Sequence, residues 1–139
     1  MIVLDTNVLS EVLKPQPEQR VLDWFAGQLR SSLFTTTVTR GEIAYGIRIM
    51  PQGARRQSLW VATQFVFNED FAGRVLNFDG DAAELYAQIA ASRRSIGKPI
   101  SQFDAMIAAV TRSRGAILAT RNVKDFIDCG IEIVDPWNA

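Results

Sequence analysis

Ile2-Val3-Leu4-Asp5-Thr6-Asn7 is the stretch on which the fold of this chain turns. Three apolar residues, two of them β-branched, suit a short buried strand, and the acid and polar residues behind them suit a loop at its carboxyl end. Working outward, the spacing predicts a helix from Val8 to Lys14, stopped by Pro15 and Pro17. A second helix is expected from Glu18 to Leu29, where Val21, Leu22, Phe25 and Leu29 share one face. The threonine-rich run Leu33 to Val38 predicts a strand. Helical patterns follow from about Arg40 to Met50 and from Ala54 to Phe67, parted by Pro51-Gln52-Gly53. Beyond them come a strand over Arg74 to Phe78 and helices over Asp81 to Ser95 and Gln102 to Ser113. A strand over Ala116 to Ala119, a helical turn over Val123 to Ile127 and a strand over Ile131 to Val134 complete the chain. Strands alternating with helices imply an α/β fold, a mainly parallel central sheet flanked by helices on both faces. In such sheets, sites form beyond the carboxyl ends of the strands, where Asp5 stands.

Composition narrows what a site there can do. At 139 residues, with 47% hydrophobic and 22% charged content, the chain reads as one domain over residues 1–139 with a core of its own. A single cysteine, Cys129, excludes an internal disulfide framework and a four-cysteine zinc site. No signal-peptide core or membrane-length apolar run is visible, so a cytoplasmic protein with no membrane partner is expected. There is no histidine, which removes Ser-His-Asp, Cys-His and two-histidine chemistry. With 15 basic and 15 acidic residues the net charge is +0, so phosphate binding needs local basic patches or a metal rather than a broad positive field.

The acids carry the rest. Thr39-Arg40-Gly41-Glu42, Ser101-Gln102-Phe103-Asp104 and Asn122-Val123-Lys124-Asp125 each place a capping-type residue three positions before a carboxylate at an expected helix start. Taken singly, each is an ordinary capping box, and Asp5 alone is a turn residue. Asp104, however, is set among Phe103, Met106, Ile107 and Val110, a face expected to be buried, where a lone carboxylate is costly. Several acids brought to one sheet end repel each other, and a divalent cation is the simplest relief. Oxygen donors without His or Cys favour Mg²⁺ or Mn²⁺ over Zn²⁺. Such an ion acidifies water and offsets charge on a phosphate.

In this order, Ile2-Val3-Leu4-Asp5-Thr6-Asn7-Val8, Thr39-Arg40-Gly41-Glu42, Ser101 to Ala109 and Ala119 to Phe126 resemble the PIN-domain family, in particular VapC-type toxins of toxin–antitoxin modules. Gln16-Pro17, Trp24 and Asp135-Pro136-Trp137 look nearest the FitB-like branch. The resemblance covers nearly the whole chain. It implies a Mg²⁺- or Mn²⁺-dependent endoribonuclease with metal held by Asp5 and Asp104, Glu42 completing the cluster and Thr6 ordering the first carboxylate or a water. Asn122 stands where relatives carry an acid or Asn, which puts a second metal in doubt; Asp125 either compensates or buttresses the loop. The implied partners are an RNA substrate, a DNA-binding antitoxin encoded upstream and a second copy of the chain in a hetero-oligomer, with DNA reached only through the antitoxin.

Other basic and apolar groups are open to more than one reading. Arg40, Arg121 and Lys124 stand near the motifs, either as phosphate contacts or as solvated helix ends. Arg93, Arg94 and Lys98 form another short basic cluster, either for phosphate contact or simply an exposed helix face. Trp24, Trp60, Phe65, Phe67 and Phe71 read as core or dimer interface before base-stacking platforms, and Val8 to Leu13 with Leu59 to Phe71 as a groove for an antitoxin helix, a homodimer face or core alone. Among rivals, a haloacid-dehalogenase phosphatase wants an acid at Asn7. A directly DNA-reading module lacks a basic arm, leaving a FitB-like regulatory subunit acting through a DNA-binding partner as the alternative. An inactive scaffold has no need of Asp5, Glu42 and Asp104.

Overall fold

The computed structural model describes residues 1–139. Five strands, β1 (Ile2–Leu4), β2 (Leu33–Thr36), β3 (Val75–Leu76), β4 (Ile117–Ala119) and β5 (Glu132–Val134), form one sheet in the order β3-β2-β1-β4-β5. Every pairing is parallel, so the sheet is parallel throughout rather than mainly so. The chain builds outward from β1 to β3 on one side and then crosses to β4 on the other. The direction therefore reverses between β1 and β4, the switch point at which open α/β sheets leave a crevice.

The helices are α1 (Thr6–Val12), α2 (Gln19–Ala26), α3 (Thr37–Arg48), α4 (Ala54–Phe65), α5 (Gly80–Ser95) and α6 (Gln102–Ser113). Alternation along the strands sends neighbouring residues to opposite faces. Val3 and Leu118 join one core with Ala82, Ile89, Ile107 and Val110 of α5 and α6. Leu4 and Ala119 join the other with Val8 and Leu9 of α1, Val21 of α2 and Phe67 and Phe71. Helices therefore cover both faces, as expected.

Differences lie at element ends, and each has a local cause. The strand expected to reach Val38 stops at Thr36, because the Thr36 hydroxyl accepts the Thr39 N–H at 3.0 Å and starts α3 there. With β2 ended, Asn77 and Phe78 have no strand beside them, so β3 keeps only two of the expected residues. The helix expected to start at Val8 starts at Thr6, because Asp5 caps it. Beyond Phe65 the chain passes into a π-helical turn, Val66–Asp70, which turns Phe67 and Phe71 into the core while Phe65 stays 58% exposed. That turn is tied to β2 by Arg74, whose guanidinium donates to the carbonyls of Arg30, Leu33 and Asp70.

Glu11 and Arg93 are charged side chains that the fold takes out of solvent. Glu11 is nearly buried; its carboxylate accepts from Lys14 Nζ at 2.9 Å and from the Glu18 N–H at 3.0 Å, fastening the proline loop between α1 and α2. Both contacts hold its carboxyl below the ordinary range. Arg93, expected on an exposed face, is only 6% exposed. Its guanidinium donates to the carbonyls of Lys98 (2.7 Å), Asp125 (2.8 Å) and Ile127 (3.0 Å), while Arg94 and Lys98 remain on the surface. Arg93 thus pins the 3₁₀ turn Val123–Phe126, which carries Asp125, to the end of α5. Arg93→Met would leave those carbonyls without their donors and should cost about 3 kcal/mol. Urea unfolding should show it as a lower midpoint, and an unchanged midpoint would mean the turn is held by packing alone.

Candidate active site

The parallel register sets Leu4 beside Ala119, so the residues that follow, Asp5 and Thr120, leave the sheet side by side at the switch point. Asp5 is 4% exposed. Its Oδ1 accepts the Thr6 N–H at 2.8 Å; its Oδ2 accepts the Thr120 hydroxyl at 2.8 Å and Asn7 Nδ2 at 3.3 Å. The Thr120 hydroxyl, its proton committed to Asp5, accepts from Asn7 Nδ2 (3.3 Å) and from the Asn122 N–H (3.1 Å). Asn7 Oδ1 accepts the Arg121 N–H at 3.3 Å. Asn7, which in the sequence signals only the absence of an acid, laces the β1 loop to the β4 loop with both ends of its amide.

A second arm reaches α3. The Thr6 hydroxyl donates to Glu42 Oε1 at 2.8 Å and lies 3.0 Å from the Thr39 hydroxyl, which must then donate to it. Thr6 therefore joins two acids, ordering Asp5 through its backbone and Glu42 through its side chain. The capping-box reading of Thr39 and Glu42 fails. The cap is Thr36, so Glu42 lies in the second turn of α3, where no end-of-helix N–H holds it.

Asp104 enters from α6, where the expected cap is present: the Ser101 hydroxyl oxygen accepts the Asp104 N–H at 3.3 Å. The face around Asp104 is less buried than expected, because Phe103 is 54% exposed and Asp104 is half-buried. Asn122 precedes the 3₁₀ turn, but its side chain makes no capping bond; its contribution is the backbone N–H on Thr120. Asp125, on that turn, faces Asp104 closely enough for its charge to be felt there.

Titration follows from this packing. Burial first, then repulsion from Asp104 and Glu42, raises the Asp5 carboxyl to about 6, although its hydrogen bonds pull the other way. Glu42 is raised by burial and by Asp104; Asp104 is raised by burial and by Asp125. Asp104 is thus the meeting point of the acids. No cation offsets them: the ion pairs are Lys14–Glu11, Arg30–Asp70 and Arg114–Asp79, all elsewhere. No three acids are placed together as a ready metal-ligand group, and the donors the site does offer are oxygens only. That suits a hard cation, Mg²⁺ above all, which takes one or two carboxylates and keeps much of its water. Beside the acids, a cavity of about 550 Å³ runs between α1, α3 and α4 from Thr6 and Glu42 past Leu13, Ile43, Ile47 and Leu59. Leu13 and Leu59 line it as expected, whereas Val8, Phe67 and Phe71 are core.

The PIN domain model matches residues 2–129. The chain belongs to the PIN-domain family. Within it, the chain is 39% identical to a VapC ribonuclease of Sinorhizobium fredii, over 99% of this chain and 98% of the relative. It is 33% identical to toxin FitB of Neisseria gonorrhoeae, over 99% of each. Its fold is similar to a chain in the structure of FitAB bound to a DNA fragment, with TM-score 0.92, 34% identity, and coverage of 99% of this chain and 96% of that one. The VapC and FitB group is therefore this PIN protein's own branch. No helix is long and apolar enough to cross a membrane.

Thr120 and Asn7 were missed as site residues. The signal for Thr120 was available: a polar residue directly after β4 repeats the placement of Asp5 directly after β1.

The raised Asp5 carboxyl makes a pH prediction. The unfolded chain ionises Asp5 near 3.8 and the folded one near 6. Its contribution to stability is therefore full below the lower value and lost as pH rises through the higher, about 3 kcal/mol in all. In chelator, the stability of wild type minus that of Asp5→Asn should fall between about pH 4 and about pH 7. A difference that grows with pH across that window would contradict a raised Asp5 carboxyl.

Proposed function

We propose that this PIN protein is the toxin of a type II toxin–antitoxin module, a Mg²⁺- or Mn²⁺-dependent endoribonuclease. The observation that carries the reading is the unneutralised acid set of Asp5, Glu42 and Asp104 at the β1–β4 switch point, in a chain without histidine. When bound, the ion supplies Lewis acidity toward phosphate and water. Asp5 and Asp104 would hold it, with Glu42 behind them. Thr6 and Thr120 keep Asp5 turned toward the crevice, and Thr6 keeps Glu42 fixed by its hydroxyl. Because Asp5 titrates near 6, it is mainly ionised at neutral pH, the form in which it would hold a cation. Asp125 adds charge beside Asp104, and Asn122 acts through its N–H on Thr120 rather than as a ligand.

The partner follows from the same chemistry. FitAB was seen on DNA, and a complex of VapBC from Salmonella typhimurium was likewise DNA-bound. We extend this to the present chain as a DNA-binding antitoxin partner and a homodimeric toxin. The apolar cavity that opens on Glu42 suits an antitoxin segment carrying an Arg or Lys to the acids, where charge-assisted hydrogen bonds would replace the cation. The FitAB likeness also favours a second reading, a regulatory subunit that works through its DNA-binding partner with little nuclease activity.

Purified protein freed of partners should cleave RNA with Mg²⁺ or Mn²⁺ and stop in EDTA. Asp5→Asn and Asp104→Asn should each lose on the order of 100-fold or more in cleavage while unfolding at or above the wild-type temperature. Asn122→Ala should lose less. Cleavage that persists undiminished in EDTA would overturn the metal, and a tight partner complex with no cleavage under any ion would favour the regulatory reading.

A further inference from the structure

We infer that the recess at the turn joining α3 to α4 holds a backbone phosphate of the RNA strand that enters the acidic site. This rests on the ribonuclease reading and adds to it the path of the strand.

The first observation is a charge asymmetry. The stretch from Ile43 to Asn68 contains Arg48, Arg55 and Arg56 and no Asp, Glu or Lys, a charge of +3. Since the whole chain sums to +0, the remainder carries −3. None of those arginines takes part in an ion pair. In a surface with acids to spare, three unpaired guanidinium groups on one helical hairpin are matched to an anion from outside.

Geometry gives the second. Arg48 lies over the Trp60 ring, 4.6 Å from its centroid. Stacking fixes the plane of the guanidinium and leaves its N–H edge free for the in-plane, two-pronged contact that phosphate accepts. Arg48, Arg56, Gln52, Gly53, Gln57 and Trp60 surround a polar recess of about 540 Å³. Gly53 begins α4 with no side-chain cap, so the first N–H groups of that helix are not taken by a capping side chain at the same recess.

Placement gives the third. Ile47, itself buried, lines both this recess and the cavity that ends on Thr6 and Glu42, so the two lie on either side of the same α3–α4 hairpin. From Glu42 to Arg48 is six residues along α3, about 9 Å. A strand that leaves the acids and crosses the hairpin then brings a later phosphate to Arg48 and Arg56. The acids repel RNA until a cation is present, and the hairpin supplies the attraction that they lack.

The test uses full-length Asp5→Asn protein and a labelled single-stranded oligoribonucleotide, read by fluorescence anisotropy over a NaCl series. Adding Arg48→Gln with Arg56→Gln should weaken binding about tenfold and flatten the salt dependence by about 0.7 for each phosphate no longer neutralised. Trp60→Leu should weaken it in part and Trp60→Phe should restore it, which a purely structural role for the ring would not produce. Arg114→Gln, which removes an arginine already paired with Asp79, is the control and should bind like its parent. In otherwise wild-type protein with Mn²⁺, the double change should appear as a raised KM for RNA cleavage. Unchanged affinity and salt slope in the double variant, with wild type still cleaving RNA, would overturn the path and leave the ribonuclease reading intact. Loss of capture of a polyglutamate peptide without loss of RNA affinity would also overturn it, assigning the recess to an acidic protein. Wild type that neither binds nor cleaves RNA would overturn the ribonuclease reading and this inference with it.

Discussion

Everything at the crevice follows from confining Asp5 where its charge is unwelcome. A carboxylate almost wholly removed from water is costly unless hydrogen bonds or a cation compensate. Here the bonds are present, from Thr6, Asn7 and Thr120, yet they do not overcome burial and the neighbouring acids. The parallel sheet allows this because β1 and β4 deliver Asp5 and Thr120 together where the strand order reverses. Thr6 then extends the arrangement to α3, and the Ser101-capped start of α6 brings Asp104 to it. The surrounding loops are braced against that repulsion. Arg93 holds the turn that carries Asp125, and Asn7 ties the β4 loop to the β1 loop.

Most of the architecture was legible in the pattern of apolar residues. Gln102 to Ser113 is helical over the expected span because its Ser101 cap and the glycine after Arg114 are both explicit in the sequence. The errors come from competition between local preferences. Threonine at positions 35 to 37 favours strand by its β-branch, but Thr36 serves better as a cap, and the cap decides where α3 begins. The same competition hid the true setting of Glu42. In the site, Asp5, Glu42 and Asp104 were legible as acids after strand or cap, and the fold brings their charges within reach of each other. Arg93 was not legible, since its partners are backbone carbonyls, which no side-chain pattern reports.

The zero net charge conceals a division of labour. Acids gather at the switch point, and unpaired arginines gather on the α3–α4 hairpin. On the reading proposed above, a polyanion would meet an attractive flank and a centre that a cation makes hospitable. Under the proposed ribonuclease reading, metal rather than a broad basic surface would control cleavage, and a basic side chain from a partner would meet the same acids.

The claim that these acids are a cation site is tested most directly by locating Mn²⁺ in crystals of the partner-free protein through its anomalous scattering. A peak should appear in contact with oxygens of Asp5 and Asp104, with Glu42 within its water shell, and should be lost in Asp5→Asn crystals treated identically. Full-strength Mn²⁺ peaks elsewhere on the protein, with none at the β1–β4 switch point, would contradict that claim.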